Sequence, residues 1–336
     1  MTSLKNITPA DRQSATFPEL QTITRRASFG RMAGISFGAW AQSGSRSAAE
    51  SASDPHLFRL ACSLAVIGDV NVNDARAAIR SWAGEVGRLA RMDLPVETNV
   101  LYSPDRLMEM VRNGVVDGVA ATTPEFVKMM AYVDPGRLLI DDVYNKSGEE
   151  YVILVHGESG IRSIADLRGR ELLLFSNPVT CLAHYWLENL LGTITSCGPD
   201  SFFKQITLAP RLSRAVLPVY FRQSDACLAT RRGVGTMSEM NPDIARQLRV
   251  VTISPGVVPI CMGFHKNCPI DQKNRFSAAL AELPKEPAGK QLLALFQSHG
   301  TAMASHSVLA SAADMVRDAE RIRLRGGRQG CRSGIS

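Results

Sequence analysis

Residues 96–125 read VETNVLYSPDRLMEMVRNGVVDGVAATTPE. A strand expected over 96–101 is followed, after Tyr102, by Ser103-Pro104-Asp105. Serine at an N-cap and proline at the first helical position open a helix, which runs to Arg112 and is stopped by Asn113-Gly114. A further strand, 115–120, then leads to Thr123-Pro124-Glu125, which repeats the hydroxyl-proline-acid start. Strand, one-residue turn, helix and strand again is the rhythm of an α/β protein with a parallel sheet.

The rhythm extends in both directions. Residues 60–67 (LACSLAVI) form an apolar strand without alternation, as expected when both sheet faces are covered. A loop rich in Gly, Asp and Asn, 68–74, leads to a helix over 75–91. Strands follow at 138–141 and 151–155. A second unit opens near Ile161 with the turn Ser163-Ile164-Ala165-Asp166-Leu167 and a strand over 171–175. Its loop, Ser176-Asn177-Pro178-Val179-Thr180, feeds a helix over 181–191. Further helices are expected at 213–222 and 241–247, strands at 226–230 and 249–253, and a β run at 257–265. The remainder reads as helices over 272–283, 289–297 and 307–325.

The 336 residues, 45% hydrophobic, suit two domains or lobes. No apolar run reaches the roughly 18 residues of a membrane-spanning helix. Of the net charge of +6, residues 1–41 carry +3 and those from Arg317 onward carry +4, so the stretch between is at −1. A nucleic-acid footprint requires a basic patch interleaved with aromatics on the folded body, and the sequence has none. Seven cysteines show no CxxC pair and no Cys/His metal spacing. Most read as small buried apolar residues, with a Cys261–Cys268 bridge as the alternative in an exported protein.

The first forty residues read as an address. Arg25-Arg26 precede a mildly apolar stretch, 32–40, and Ala39-Trp40-Ala41 forms a small-x-small cleavage site. The paired arginines resemble a twin-arginine (Tat) leader, with the Sec route as the other possibility. Residues 42–56 read as a flexible leader and 326–336 as a disordered basic tail.

Four segments in order carry a family resemblance over residues 57–300. They are Ser103–Leu107 through Asn113–Val119; Tyr151–Val155 leading into Ser163-Ile164-Ala165-Asp166-Leu167-Arg168-Gly169-Arg170; Gln223–Ala229; and Leu248–Val251 with Ser254-Pro255 and 259–265. Together they resemble the phosphonate-binding (PhnD-like) periplasmic substrate-binding proteins of ABC transporters. The resemblance implies a bilobal α/β fold of type II kind, with lobe 1 from 57–150 and 258–325 and lobe 2 from 151–257. Crossover strands are expected at 151–155 and 257–264. The implied function is periplasmic solute binding without catalysis or cofactor, as a monomer that hands its solute to a permease after Tat or Sec export.

The residues themselves point to an anion. In open α/β sheets ligands sit beyond the carboxyl ends of strands, where helix starts present free N–H groups. Here those junctions are 68–74, 102–103, 122–123 and 176–180. The candidate ligand residues are therefore Tyr102, Ser103, Thr122, Thr123, Asn177, Thr180, Cys181 and Arg231, with plain N-capping as the alternative for the hydroxyls. Asn177–Ala183 departs from the family's "D-P-x-S-T-S-G", because Cys181 replaces one hydroxyl with a poorer donor. Cys181 and His184, one helical turn apart, invite an enzymatic reading in which the helix start lowers the thiol pKa. A third reading is a ligand-sensing or assembly protein of the same fold.

Overall fold

The computed structural model describes residues 57–326, apart from 69–70, 92–95, 146, 196–197 and 297. The expected leader, its cleavage site and the basic tail after Gly326 lie outside the described residues.

The first part of the chain forms Phe58–Ser63 (β1), Val72–Leu89 (α1), Val96–Leu101 (β2), Pro104–Arg112 (α2), Gly118–Thr122 (β3), Thr123–Met129 (α3) and Val133–Asp141 (β4). The middle part forms Tyr151–His156 (β5), Glu171–Phe175 (β6), Ala183–Gly192 (α4), Pro199–Phe202 (α5), Gln205–Ala209 (β7), Leu212–Tyr220 (α6), Ala226–Thr230 (β8), Arg231–Met240 (α7), Pro242–Gln247 (α8) and Leu248–Ile253 (β9). The last part forms Ile260–His265 (β10), Ile270–Glu282 (α9), Pro287–Leu295 (α10), Thr301–Ala304 (β11) and Ala310–Gly326 (α11).

These strands make two sheets. One has six strands in the order β11-β4-β10-β3-β1-β2, the other five in the order β7-β6-β8-β5-β9. In the first, β1, β2 and β3 are parallel, so Ser63, Leu101 and Thr122 end on one edge. In the second, β6, β7 and β8 are parallel and end at Phe175, Ala209 and Thr230.

Local chemistry explains the elements. Helix α1 buries Ala75, Ile79, Ala83 and Val86, a stripe at helical spacing. Ser103 caps α2 by accepting the N–H of Arg106, and Pro104 fills the first turn. The Val-Asp-Gly run owes its place to a clasp between strands. Asp117 accepts the backbone N–H and side-chain Nε of Arg59 at 2.8 and 3.1 Å, fixing the approach to β3 against β1. Aromatics fill the core of the first body, where Phe58 stacks on Phe276 with centroids 4.5 Å apart. Each such buried ring contributes roughly 2–3 kcal/mol by burial alone.

The structure corrects several boundaries. The expected strand over 60–67 ends at Ser63, because Ser63 caps a 3-10 turn over Leu64–Val66. The helix expected from 181 begins at Ala183, after a 3-10 turn over Pro178–Thr180. The crossovers also shift. Tyr151–His156 pairs along its length inside the second sheet and Ile260–His265 inside the first. The chain crosses instead within 142–150 and returns within 254–259, where Glu149 and Val257 bridge antiparallel. Finally, α11 packs with the second body, although the sequence groups it with lobe 1. Its Ala312, Met315 and Val316 join the core around Tyr151, Trp186 and Leu187. The approach to α4 is close, for a Cβ on Gly192 would meet Ile322 Cδ1 at 2.5 Å.

Candidate functional site

The carboxyl ends of the two sheets meet at the crossing segments, and the carbonyl of Pro259 is their shared point. It accepts the backbone N–H of Thr123, the first residue of α3, at 2.8 Å. From the other sheet, the thiol of Cys181 donates to the same carbonyl at 3.1 Å. Nearby, Gly68 lies against the Pro178 ring, which would stand 3.0 Å from a Cβ at position 68. Tyr151 spans the floor, its hydroxyl donating to the Val179 carbonyl at 2.9 Å.

Of the residues expected to face a ligand, Thr123 and Cys181 are brought together here. Thr123 is fully buried and Cys181 half-buried, and the Thr123 hydroxyl donates to the Val258 carbonyl. Thr122 is occupied locally. Its hydroxyl donates to Glu125 at 2.8 Å, and its N–H reaches the same carboxylate at 3.0 Å. Ser63, at the end of β1, donates to the other Glu125 oxygen at 2.8 Å. Asn177 and Thr180 cap their own 3-10 turn: Asn177 Oδ1 accepts the Val179 N–H, and Thr180 Oγ1 donates to the Phe175 carbonyl. Ser103 caps α2, while Tyr102 beside it is 62% exposed. Arg231 pairs with Glu150 at 2.7 Å, across the crossing segment.

Two residues that sequence reasoning missed hold this region. Glu125 gathers two strand ends into one carboxylate. The signal was a Thr-x-x-Glu capping box beginning at Thr122, one residue before the start read from sequence. Glu149, buried in the first crossing, carried no signal, since only the fold brings it to Arg232 in α7, at 3.8 Å. Arg232 also lies over the Tyr144 ring, 5.1 Å from its centroid. Burial raises the Glu149 carboxyl above its usual range, against the opposing pull of Arg232.

The enzymatic reading of Cys181 is overturned. Burial pushes the thiol up to about 12, so it is a poor source of thiolate. His184 turns away to Glu188, with Nε2 at 2.7 Å from the carboxylate. Cys261 and Cys268 are free thiols, so the bridge between them is absent. Among the described residues no group of His, Cys, Asp and Glu could hold a metal ion.

Two α/β bodies with paired crossings and facing strand ends define the bilobal periplasmic-binding fold. Solved structures share it. XAC2383 from Xanthomonas citri, bound to chloride ion, matches with a TM-score of 0.58 at 15% identity, over 80% of this chain and 99% of that one. PhnD1 from Prochlorococcus marinus (MIT 9301), in complex with methylphosphonate, matches at 0.55 and 14%, over 80% and 100%. A binding protein component of an ABC phosphonate transporter from Pseudomonas aeruginosa matches at 0.52 and 13%, over 80% and 88%. No curated protein matches the chain. The family model described as "ABC transporter, phosphonate, periplasmic substrate-binding protein" matches residues 77–309. The chain belongs to that family, whose members are substrate-binding proteins and not enzymes.

Proposed function

We propose that this chain is the solute receptor of an ABC transporter and closes two lobes on a small anionic solute. Lobe 1 comprises residues 57–150 and the chain from 258 to the start of α11; lobe 2 comprises 151–257, and α11 rests on it. Export through the twin-arginine-like leader, with cleavage near Ala41, delivers the protein to the periplasm, where a permease takes the solute. The observation that carries this reading is the convergence on Pro259: a helix start behind one sheet and a turn behind the other share one carbonyl. A ligand shifts such a pair of lobes only by touching both.

The anionic preference rests on the family and on Arg231 at the rim. Tyr102 and Arg231 present exposed polar ends beside the strand termini. Ser103, Thr122, Thr123, Asn177, Thr180 and Cys181 form the wall behind them. Because the wall hydroxyls already have partners, an oxyanion competes with internal caps, which favours ligands with a strong, compact charge.

A thermal-shift panel of phosphate, phosphite, alkylphosphonates, sulfonates and small carboxylates tests the proposal. A true ligand at about 100 times its Kd adds roughly 2.7 kcal/mol of stability. At least one oxyanion is expected to raise the Tm, and Arg231→Ala to reduce the response. A panel in which none shifts the Tm while a neutral or cationic solute does would contradict the anionic assignment.

A further inference from the structure

The second body carries a polar pocket on the side away from the crossing segments. It lies where β5 ends at His156 and where β6 and β8 begin, at Glu171 and Ala226. The proposed solute gap follows the other ends of β6 and β8, about 13 Å away at 3.3 Å per strand residue. The cavity measures about 340 Å³ and is lined by His156, Glu158, Arg170, Arg222, Ser224 and Asp225 among others.

Its hydrogen bonding does not close. His156 is buried, 5% exposed. The N–H of Glu158 approaches its Nδ1 at 3.2 Å, and the Arg222 Nε–H approaches its Nε2 at 3.3 Å. Both ring nitrogens are thus faced by donors. A neutral imidazole accepts at one nitrogen only and carries a proton on the other, so in either tautomer one N–H points at another N–H. An imidazolium has the conflict twice. Beside it, the Ser224 hydroxyl oxygen is buried with no hydrogen-bond partner among the described residues. A cluster in which both imidazole nitrogens meet donors and a buried hydroxyl has no partner calls for an acceptor from outside.

The backbone agrees. Arg222 has φ of 60°, one of two non-glycine residues with positive φ among those described. It follows α6 at the position where a left-handed glycine ordinarily closes a helix, with the N–H of Gln223 returning to the Pro218 carbonyl at 2.7 Å. An arginine there is strained relative to glycine, yet the strain aims the guanidinium at His156 and Glu158. The acids of the pocket do not repel an anion outright, because each has its own cation. Glu158 pairs with Arg222, Asp225 with Arg170, and Glu171 with Lys204.

We propose that this pocket is a second ligand site, distinct from the interlobe gap, which takes a small oxyanion. One oxygen bridges the imidazole N–H and the Arg222 Nε–H, and a second accepts the Ser224 hydroxyl. The bound anion removes the donor–donor conflict and completes the cluster.

Titration of the protein with inorganic phosphate and with sulfate tests this, read from the side-chain nitrogen resonances of His156 assigned with His156→Gln. The expected result is a saturable shift of His156 in wild type. In Arg222→Gly, affinity falls about tenfold, as for loss of one charge-assisted bond, while the Tm stays level or rises because glycine relaxes the backbone. Ser224→Ala weakens the anion without lowering the Tm. A His156 signal that ignores both anions at millimolar concentration overturns the site, as does Arg222→Gly binding like wild type. A solute that moves only reporters at the interlobe gap would likewise overturn it while leaving the receptor reading intact.

Discussion

The thiol of Cys181, in the second body, donates to the carbonyl of Pro259, on the segment returning to the first, at 3.1 Å. This single bond crosses the gap that must widen for a solute to enter. It makes Cys181 a natural reporter of opening. Burial pushes its thiol up to about 12, so closed protein is expected to react slowly with maleimides, and saturating solute to slow it further. Mass spectrometry of the labelled peptide checks this. A Cys181 that labels as fast as in denaturant, with or without solute, would show that the gap does not close there.

The crossings depend on two glycines packed face to face. Gly148 has φ of 70°, and a Cβ there would stand 2.6 Å from the Val257 backbone nitrogen. A Cβ on Gly256 would fall on the Ser147 carbonyl oxygen. Gly148→Ala is therefore expected to cost about 1–3 kcal/mol through strain at a left-handed position, read as a lowered urea midpoint. Gly84, whose Cβ would meet nothing, is the control; alanine there is expected to be neutral or stabilising by a few tenths of a kcal/mol up to about 1.

Glu149 predicts a pH dependence with a definite sign. Burial raises its carboxyl pKa above 4.5 in the folded chain, so the folded state holds that proton more tightly than the unfolded one. Its contribution to stability is complete below the unfolded value and is lost as pH rises through the folded one. Glu149→Gln should flatten this part of the stability profile. Thermal melts across the acid range measure it, and an unchanged profile would contradict the assignment.

The last helix is strapped to the second body by one buried carboxylate. Glu188 meets His184 and Arg323 at 2.7 Å each. Arg323→Met leaves that buried charge with the histidine alone and is expected to cost about 1–3 kcal/mol, less than a fully buried pair because Arg323 is half exposed. Arg321→Met, which loses only the exposed pair with Asp318, should cost under about 0.5 kcal/mol. Denaturant midpoints of the two variants decide between them.

Where structure is set locally, it was legible in the sequence. Ser103 caps a helix three residues away, and the Ser-Pro-Asp start predicts α2 to its last residue. The strand β7 was missed because it lies at a sheet edge with Leu208 64% exposed, which leaves no apolar pattern. The first half of β4, Val-Asp-Pro-Gly-Arg, reads as a turn; its pairing of Val133 with His265 comes from beyond a register shift in β10. Of the candidate site, the hydroxyls at strand ends were legible, but not their partners: the single carboxylate of Glu125 takes up Ser63 and Thr122 together. The Glu149–Arg232 contact and the donor conflict at His156 arise only when distant segments fold together.

Small-angle scattering with and without the oxyanion selected by the thermal panel addresses the receptor mechanism most directly. The predicted result is a smaller radius of gyration at saturation. An oxyanion whose thermal shift depends on Arg231 but whose binding leaves the radius unchanged would contradict closure of two lobes on a solute.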